Sequence, residues 1–318
     1  MTFNPTQMVN EAVERIRPFL RQTILDAAPA YSQRTGAEVY FKCENLQHTG
    51  SFKARGALNK ILSLDEGERA RGIVTASTGN HGAACAFAMQ QVGASGIVFV
   101  PETAVPTKLA AIRRLGADIR TFGTDSIETE AHARTFATEN GMTYVPPYND
   151  PFVIAGQGTI AAELLHQLPE LDAVFVSVGG GGLIGGIASF LKAVKPSVQV
   201  IGCSPENSQV MAQSVAAGEL LDLPSLPTLS DGTAGGVEPG SITFPLCRDH
   251  VDQYISVTEA EIATSLREFM GNQHMLIEGS AAVAIAAFLK TAVSFKGQRV
   301  AIVLCGANIS LDTLKVIL

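Results

Sequence analysis

The chain has 318 residues, of which 46% are hydrophobic and 17% charged, and its formal net charge is −7. That length and apolar content can fill one large globular unit or two domains. The acidic balance and the lack of any basic block argue against a nucleic-acid partner or an anionic membrane surface.

Taken in order, the opening Met1-Thr2-Phe3-Asn4-Pro5-Thr6 lacks the basic start and apolar stretch of a signal peptide. Strands are predicted over 39–43, 72–76, 96–100, 118–122, 143–145, 173–178, 199–203, 253–257 and 300–305. Several are continuous apolar runs, which indicates parallel strands covered on both faces. Alanine-rich helices are predicted between them, over 56–62, 82–91, 107–115, 159–168 and 279–290. The alternation predicts an α/β fold with helices flanking open, mostly parallel sheets. Two helix-strand units near 72–149 predict a compact subdomain, with Pro146-Pro147-Tyr148-Asn149-Asp150-Pro151 as its return linker. The prolines around 223–227 predict a surface loop. No run approaches the ~18 apolar residues of a membrane span. The cysteines Cys43, Cys85, Cys203, Cys247 and Cys305 are scattered without a CxxC pair. That pattern fits reduced thiols in a cytoplasm better than a disulfide framework or a zinc site.

Four segments carry candidate chemistry. Lys53 lies in Gly50-Ser51-Phe52-Lys53-Ala54-Arg55-Gly56, between a strand and a helix. A lone lysine is ordinarily a solvated surface residue. Here burial and the nearby Arg55 are expected to lower its pKa and free a neutral amine. Ser77-Thr78-Gly79-Asn80-His81-Gly82 ends one strand and opens a helix, so it can either cap that helix or receive a carboxylate. Gly179, Gly180, Gly181 and Gly182 follow an apolar strand and precede a small-residue helix. Four glycines exceed what a tight turn needs, and amides at a helix N-terminus suit a phosphate. No Gly-Lys-Ser/Thr follows, so this is not a Walker loop. Cys305-Gly306-Ala307-Asn308 leaves a strand at its C-terminal end, where such sheets hold ligands. Its thiol can meet a cofactor atom or simply fill space. A reactive amine and a phosphate cradle are together what a protein needs to hold pyridoxal phosphate.

As a set, these motifs resemble the fold-type II pyridoxal-phosphate enzymes, and most of all the serine/threonine dehydratase and serine racemase group. The likeness includes Ser-Phe-Lys-x-Arg-Gly, Ser-Thr-Gly-Asn-His-Gly, Val-Ile-Ala-Gly-Gln-Gly-Thr-Ile at 153–160, the glycine loop, and Leu-Ile-Glu-Gly at 276–279. It implies a tryptophan-synthase-β-like fold, with a large cofactor domain from 1–63 and 150–318 and a small mobile domain from 72–149. Lys53 is implied to bind the cofactor covalently and to take the substrate's Cα proton. Phe52 is implied to pack beside the cofactor, and Asn80 to bond its ring hydroxyl. Gly179, Gly180, Gly181, Gly182 and Leu183 are implied to hold its phosphate. Glu278 is implied to lie near the ring, and Cys305 to face the pyridine nitrogen as a neutral partner, which suits elimination. Ser77, Thr78, Gly79, Asn80 and His81 are implied to hold the substrate carboxylate. The implied reaction is loss of water and ammonia from a 3-hydroxy amino acid, giving a 2-keto acid. A homodimer is expected.

Three departures qualify the likeness. Thr78 stands where racemases of the group carry a serine base, which weighs against racemisation, kept as the alternative, without removing it. Ser204 and Val210 stand where many members place acids for a divalent cation, so no metal site is expected there. The chain ends soon after Asn308, so no appended regulatory domain is expected. The 141–160 stretch and the helix after Ser204 also look like a branch that includes hydroxyectoine-utilisation dehydratases, with phenylserine-type dehydratases near. A larger substrate is then possible, and Glu238, within Thr233-Ala234-Gly235-Gly236-Val237-Glu238-Pro239, is expected to meet a polar substituent on it.

Overall fold

The computed structural model describes residues 3–104 and 106–318, with the side chains of 106–108 left aside. Met1 and Thr2 of the opening stretch lie outside the described residues. Ten strands form two sheets: β1 (Leu25–Ala27), β2 (Glu38–Lys42), β3 (Ile73–Ala76), β4 (Gly96–Val100), β5 (Asp118–Thr121), β6 (Thr143–Tyr144), β7 (Ala173–Ser177), β8 (Gln199–Pro205), β9 (Gln253–Val257) and β10 (Arg299–Val303). The larger sheet runs β1-β2-β10-β7-β8-β9 and the smaller β5-β4-β3-β6. Every pairing is parallel except β1 with β2. β7 and the apolar body of β10 are buried throughout, as continuous apolar runs in a helix-covered parallel sheet should be. Among the described residues, no helix is long and apolar enough to cross a membrane.

The predicted strands are all present, with ends shifted by a residue or two. β1 was not predicted: it has three residues, pairs antiparallel at the sheet edge and is only half-buried. Two helices begin earlier than predicted. One runs Lys53–Ser63, so Lys53 itself opens the helix. The other runs Pro151–Gln167, with Pro at its first position and Asp150 capping the amides of Phe152 and Val153.

These two helices cross at backbone contact. A Cβ on Gly56 would lie 2.8 Å from the Val153 carbonyl oxygen, and one on Gly156 would lie 2.6 Å from that of Arg55. Only glycine at both positions permits the approach. On its other side, the Lys53–Ser63 helix shares a core with the smaller sheet, through Ala57, Leu58 and Ile61 against Ala84, Cys85 and Ala88. The lysine helix thus lies between the two sheets. The C-terminal ends of β3, β6, β7 and β10 lead directly into the candidate site segments, as expected for open α/β sheets.

Candidate active site

The approach to Lys53 is tied to the far end of the chain. Gly50 turns with φ +70°, Ser51 bridges to Gly306, and the Phe52 amide donates to the Cys305 carbonyl at 3.0 Å. The Lys53 amine donates to the Pro147 carbonyl at 2.7 Å and lies 5.3 Å from the Phe52 ring centroid. Burial lowers the amine to about 8, against the opposing pull of Cys85, Glu278 and Cys305. The expected contribution of Arg55 is not found. Its guanidinium turns away, taking both oxygens of Glu44 at 2.8 and 2.9 Å and both of Glu163 at 2.7 and 2.9 Å. Desolvation alone therefore produces the shift.

The glycine loop follows β7 and opens the helix Gly182–Val194. Gly181, its N-cap, has φ +83°, a conformation that costs glycine nothing. Among the described residues, the amides of Gly179, Gly180, Gly181 and Gly182 donate to no acceptor. Four unpaired donors at a helix N-terminus form an anion receptor. Tyr148 lies on this loop so closely that a Cβ on Gly180 would come within 2.5 Å of its ring. Thr243 Oγ1 donates to the Gly180 carbonyl at 2.7 Å. Leu183 is buried in the helix's first turn.

Glu278 forms the third part. It precedes the helix Gly279–Thr291 and is 3% exposed. Its carboxylate accepts from Asn80 Nδ2 at 3.0 and 3.2 Å, from the Asn308 amide at 3.2 Å, and from the Cys305 thiol at 3.7 Å. Burial pushes Glu278 up to about 7, with Asp231 adding to it and the three donors only partly opposing. Burial and Glu278 also raise Cys305 well above the ordinary thiol range, so the thiol stays neutral. Asn308 Nδ2 donates to Asn80 Oδ1 at 2.5 Å, so the asparagine at the head of the helix Asn80–Val92 is held from two sides.

The segment after β3 divides. Ser77, Thr78 and Asn80 are half-buried and Gly79 is exposed, with the Gly79 amide donating to Ser77 Oγ at 3.2 Å. His81 points inward: its Nε2–H donates to the Val145 carbonyl at 3.0 Å and lies 3.5 Å from Cys85 Sγ. Burial, then the Lys53 charge, lower His81 to about 3. It is a neutral anchor, and its ring does not share the open mouth formed by 77–80.

Sequence reasoning missed Pro147, Tyr148 and Asn308. The Pro146-Pro147 pair was the available signal, because it fixes an extended backbone that presents a carbonyl. Glu238 is not free for a substrate. Its carboxylate accepts from Arg134 Nη2 at 2.8 Å and from Asn149 Nδ2. Ser204 is buried within β8, one residue before its end, and Val210 starts the helix Val210–Ala217. Among the described residues, no cluster of three or more His, Cys, Asp or Glu could hold a metal ion.

An enclosed amine, four unpaired amides and a neutral thiol match the aldehyde, phosphate and ring nitrogen of pyridoxal phosphate. The comparisons agree. The family model for pyridoxal-phosphate dependent enzymes matches residues 16–306. The chain is 39% identical over 313 residues to the L-threonine ammonia-lyase of Geobacter sulfurreducens, covering 98% of this chain and 78% of that protein. It is 36% identical over 304 residues to an L-threo-3-hydroxyaspartate ammonia-lyase of a Pseudomonas species, covering 96% and 95%. Among solved structures, maize serine racemase matches with a TM-score of 0.92 at 32% identity, over 99% of this chain and 96% of that one.

Proposed function

The chain belongs to the family of pyridoxal-phosphate dependent enzymes, and on that premise we propose that it is an ammonia-lyase acting on a 3-hydroxy amino acid such as L-threonine or L-serine. Water is lost across Cα and Cβ, and hydrolysis then releases ammonia and a 2-keto acid. The observation that carries this reading is the Lys53 amine, enclosed, without a carboxylate partner among the described residues and lowered to about 8. When bound, pyridoxal phosphate supplies an electron-accepting ring that acidifies the Cα proton of an attached amino acid.

The protein's own residues do the rest. Lys53 would anchor the cofactor, and its amine, held near neutrality, would take the Cα proton. Gly179, Gly180, Gly181 and Gly182, with Leu183, hold the phosphate. Phe52 packs beside the ring and Asn80 donates to its hydroxyl, with Glu278 and Asn308 fixing the Asn80 amide. Cys305 faces the ring nitrogen as a neutral group, so that nitrogen is not forced to carry a proton. Ser77, Thr78, Gly79, Asn80 and the backbone amide of His81 take the substrate carboxylate. In this reading 1–63 and 150–318 form the cofactor domain, and 72–149 closes over the substrate and excludes water. The enzyme is a homodimer, the commonest symmetric assembly, and works in the cytoplasm, which fits its five unpaired buried cysteines.

The test is a keto-acid and ammonia assay over L-serine, L-threonine, threo-3-hydroxyaspartate and phenylserine. Equal amounts of keto acid and ammonia from at least one are expected. A D-amino acid without keto acid would replace elimination by racemisation, with Thr78 as the second base. That second reading draws on the likeness to serine racemase, and the Thr78 hydroxyl is its requirement.

A further inference from the structure

Three consecutive residues after β6 make three unrelated contacts. The Pro147 carbonyl accepts from Lys53, the Tyr148 ring covers Gly180 while its Cβ and backbone lie against Gly182, and Asn149 Oδ1 accepts from the Ile242 amide. Glu238 holds this strap from outside. Its backbone N–H donates to Tyr148 Oη at 2.9 Å, and one carboxylate oxygen accepts from Asn149 Nδ2. The other oxygen accepts from Arg134 Nη2. Arg134 belongs to the helix Ser126–Glu139, which packs on the smaller sheet. It lies 4.5 Å from the Tyr144 ring centroid and also donates to Glu130. Through Glu238, one ion pair therefore ties the helix on the smaller sheet to a strap that also contacts the lysine, the glycine loop and the Ile242 amide.

We propose that Arg134 and Glu238 are positioning residues: their pairing presses Tyr148 onto the glycine loop and thereby governs how firmly a phosphate is retained there. The inference rests on reading that loop as the phosphate site. A bland alternative is an ordinary surface pair. Its side chains are 40% and 27% exposed, and such pairs contribute little to stability. That alternative moves the melting temperature slightly and leaves ligand retention alone. The positioning role moves retention, because Glu238's other partners, Tyr148 and Asn149, lie on the strap.

The experiment uses the full-length holoenzyme with Glu238→Gln, Arg134→Gln and the double variant. Release of pyridoxal phosphate is followed by the cofactor's own absorbance after dilution and removal of free ligand. Each single variant is expected to release it about 3-fold to 10-fold faster, and the double no faster than either single, as for two residues acting through one contact. In the intact protein, 1 M salt should speed release toward the Glu238→Gln rate and leave that variant unchanged, because salt screens partly exposed pairs. The salt arm needs no variant, so it decides the matter even if a substitution fails to fold. Unchanged release in both singles, multiplying effects in the double, or salt-indifferent release by the intact protein would each overturn the proposal. Cofactor uptake with no turnover of any panel substrate would remove the proposed reaction and leave this inference standing. Failure to take up the cofactor at all would remove both.

Discussion

The first turn of the Lys53–Ser63 helix feeds two buried polar centres built in opposite ways. In one, Arg55 meets Glu44 and Glu163, and Lys42 meets Glu163 at 2.5 Å. Two cations face two anions. In the other, two residues earlier on the same turn, among the described residues Lys53 donates only to a carbonyl, and Glu278 accepts only from amides and a thiol. The carboxylates make the contrast plain. Glu44 and Glu278 are both buried, at 0% and 3% exposure. Burial pushes both up, but Arg55 outweighs it at Glu44 and holds that carboxyl below the usual range, while Glu278 rises to about 7. Likewise Arg55 is raised by its carboxylates although burial opposes, whereas Lys53 is lowered to about 8. Lys42 alone crosses the pattern, since burial outweighs Glu163 and Glu44 there. Complete pairing makes a rigid foundation. Withheld pairing leaves groups near neutrality, where proton transfer is possible.

The comparison can be broken at several points. The largest effect belongs to Lys53→Met, which should abolish keto-acid formation, a fall on the order of 10³-fold or more. The same variant should be more stable than the cofactor-free protein at pH 7, by roughly 1–3 kcal/mol in urea unfolding. The sign follows from proton counting: the folded pKa lies below the unfolded one, so the unfolded chain binds more protons between about 8 and 10.5. Stability of the intact protein then climbs with pH across that window, and the variant should lack the climb. If the variant is destabilised instead, Lys53 is a paired structural charge.

On the foundation side, Glu44→Gln should cost about 3–5 kcal/mol, the loss expected when one partner of a buried pair is removed. A cost below 1 kcal/mol would mean that Glu163 alone satisfies Arg55. Arg55→Lys should cost less, about 2 kcal/mol, because an ammonium cannot meet both carboxylates with a planar fork. Full thermal stability in that variant would refute the geometric argument. The smallest effect is expected at Glu278→Gln, a gain of about 1 kcal/mol above pH 7. Here the folded pKa lies above the unfolded one, so the intact protein loses stability as pH rises from about 4.5 to about 7. The gain should therefore vanish below about pH 4.5, and an equal gain at all pH values would exclude titration as its cause.

Legibility in the sequence followed the same division. The glycine loop and Cys305 could be read because each follows a strand whose burial on both faces leaves an apolar run, and Lys53 because it lies between a strand and a helix beside small residues. The 151–158 turns of the Pro151–Gln167 helix were obscured by Gly156 and Gly158, which read as loop but are sites of helix crossing. A Cβ on Gly158 would meet the Gly186 carbonyl oxygen at 2.9 Å. Asp150-Pro151 was the sequence signal for the true start. Pro147, Tyr148 and Asn308 were not legible as site residues, because Pro147 and Asn308 act partly through backbone groups and all three find partners far away in the chain. The ion cluster escaped notice for a related reason: Lys42, Glu44, Arg55 and Glu163 have no shared sequence pattern, and only the fold brings them together.

The position of β10 bears on biosynthesis. It pairs with β2 on one side and β7 on the other, so a strand about 250 residues beyond β2 in the chain occupies the middle of the larger sheet. The turn that presents Lys53 is also pinned to the residues just after it, through Ser51 with Gly306 and Phe52 with Cys305. A nascent chain leaving the ribosome carries its lysine about 250 residues ahead of the support for that lysine. Until β10 docks, the sheet has a gap at its centre with two open edges, a hazard for pairing between neighbouring nascent chains. Cofactor capture is correspondingly reserved for chains that have completed their central strand.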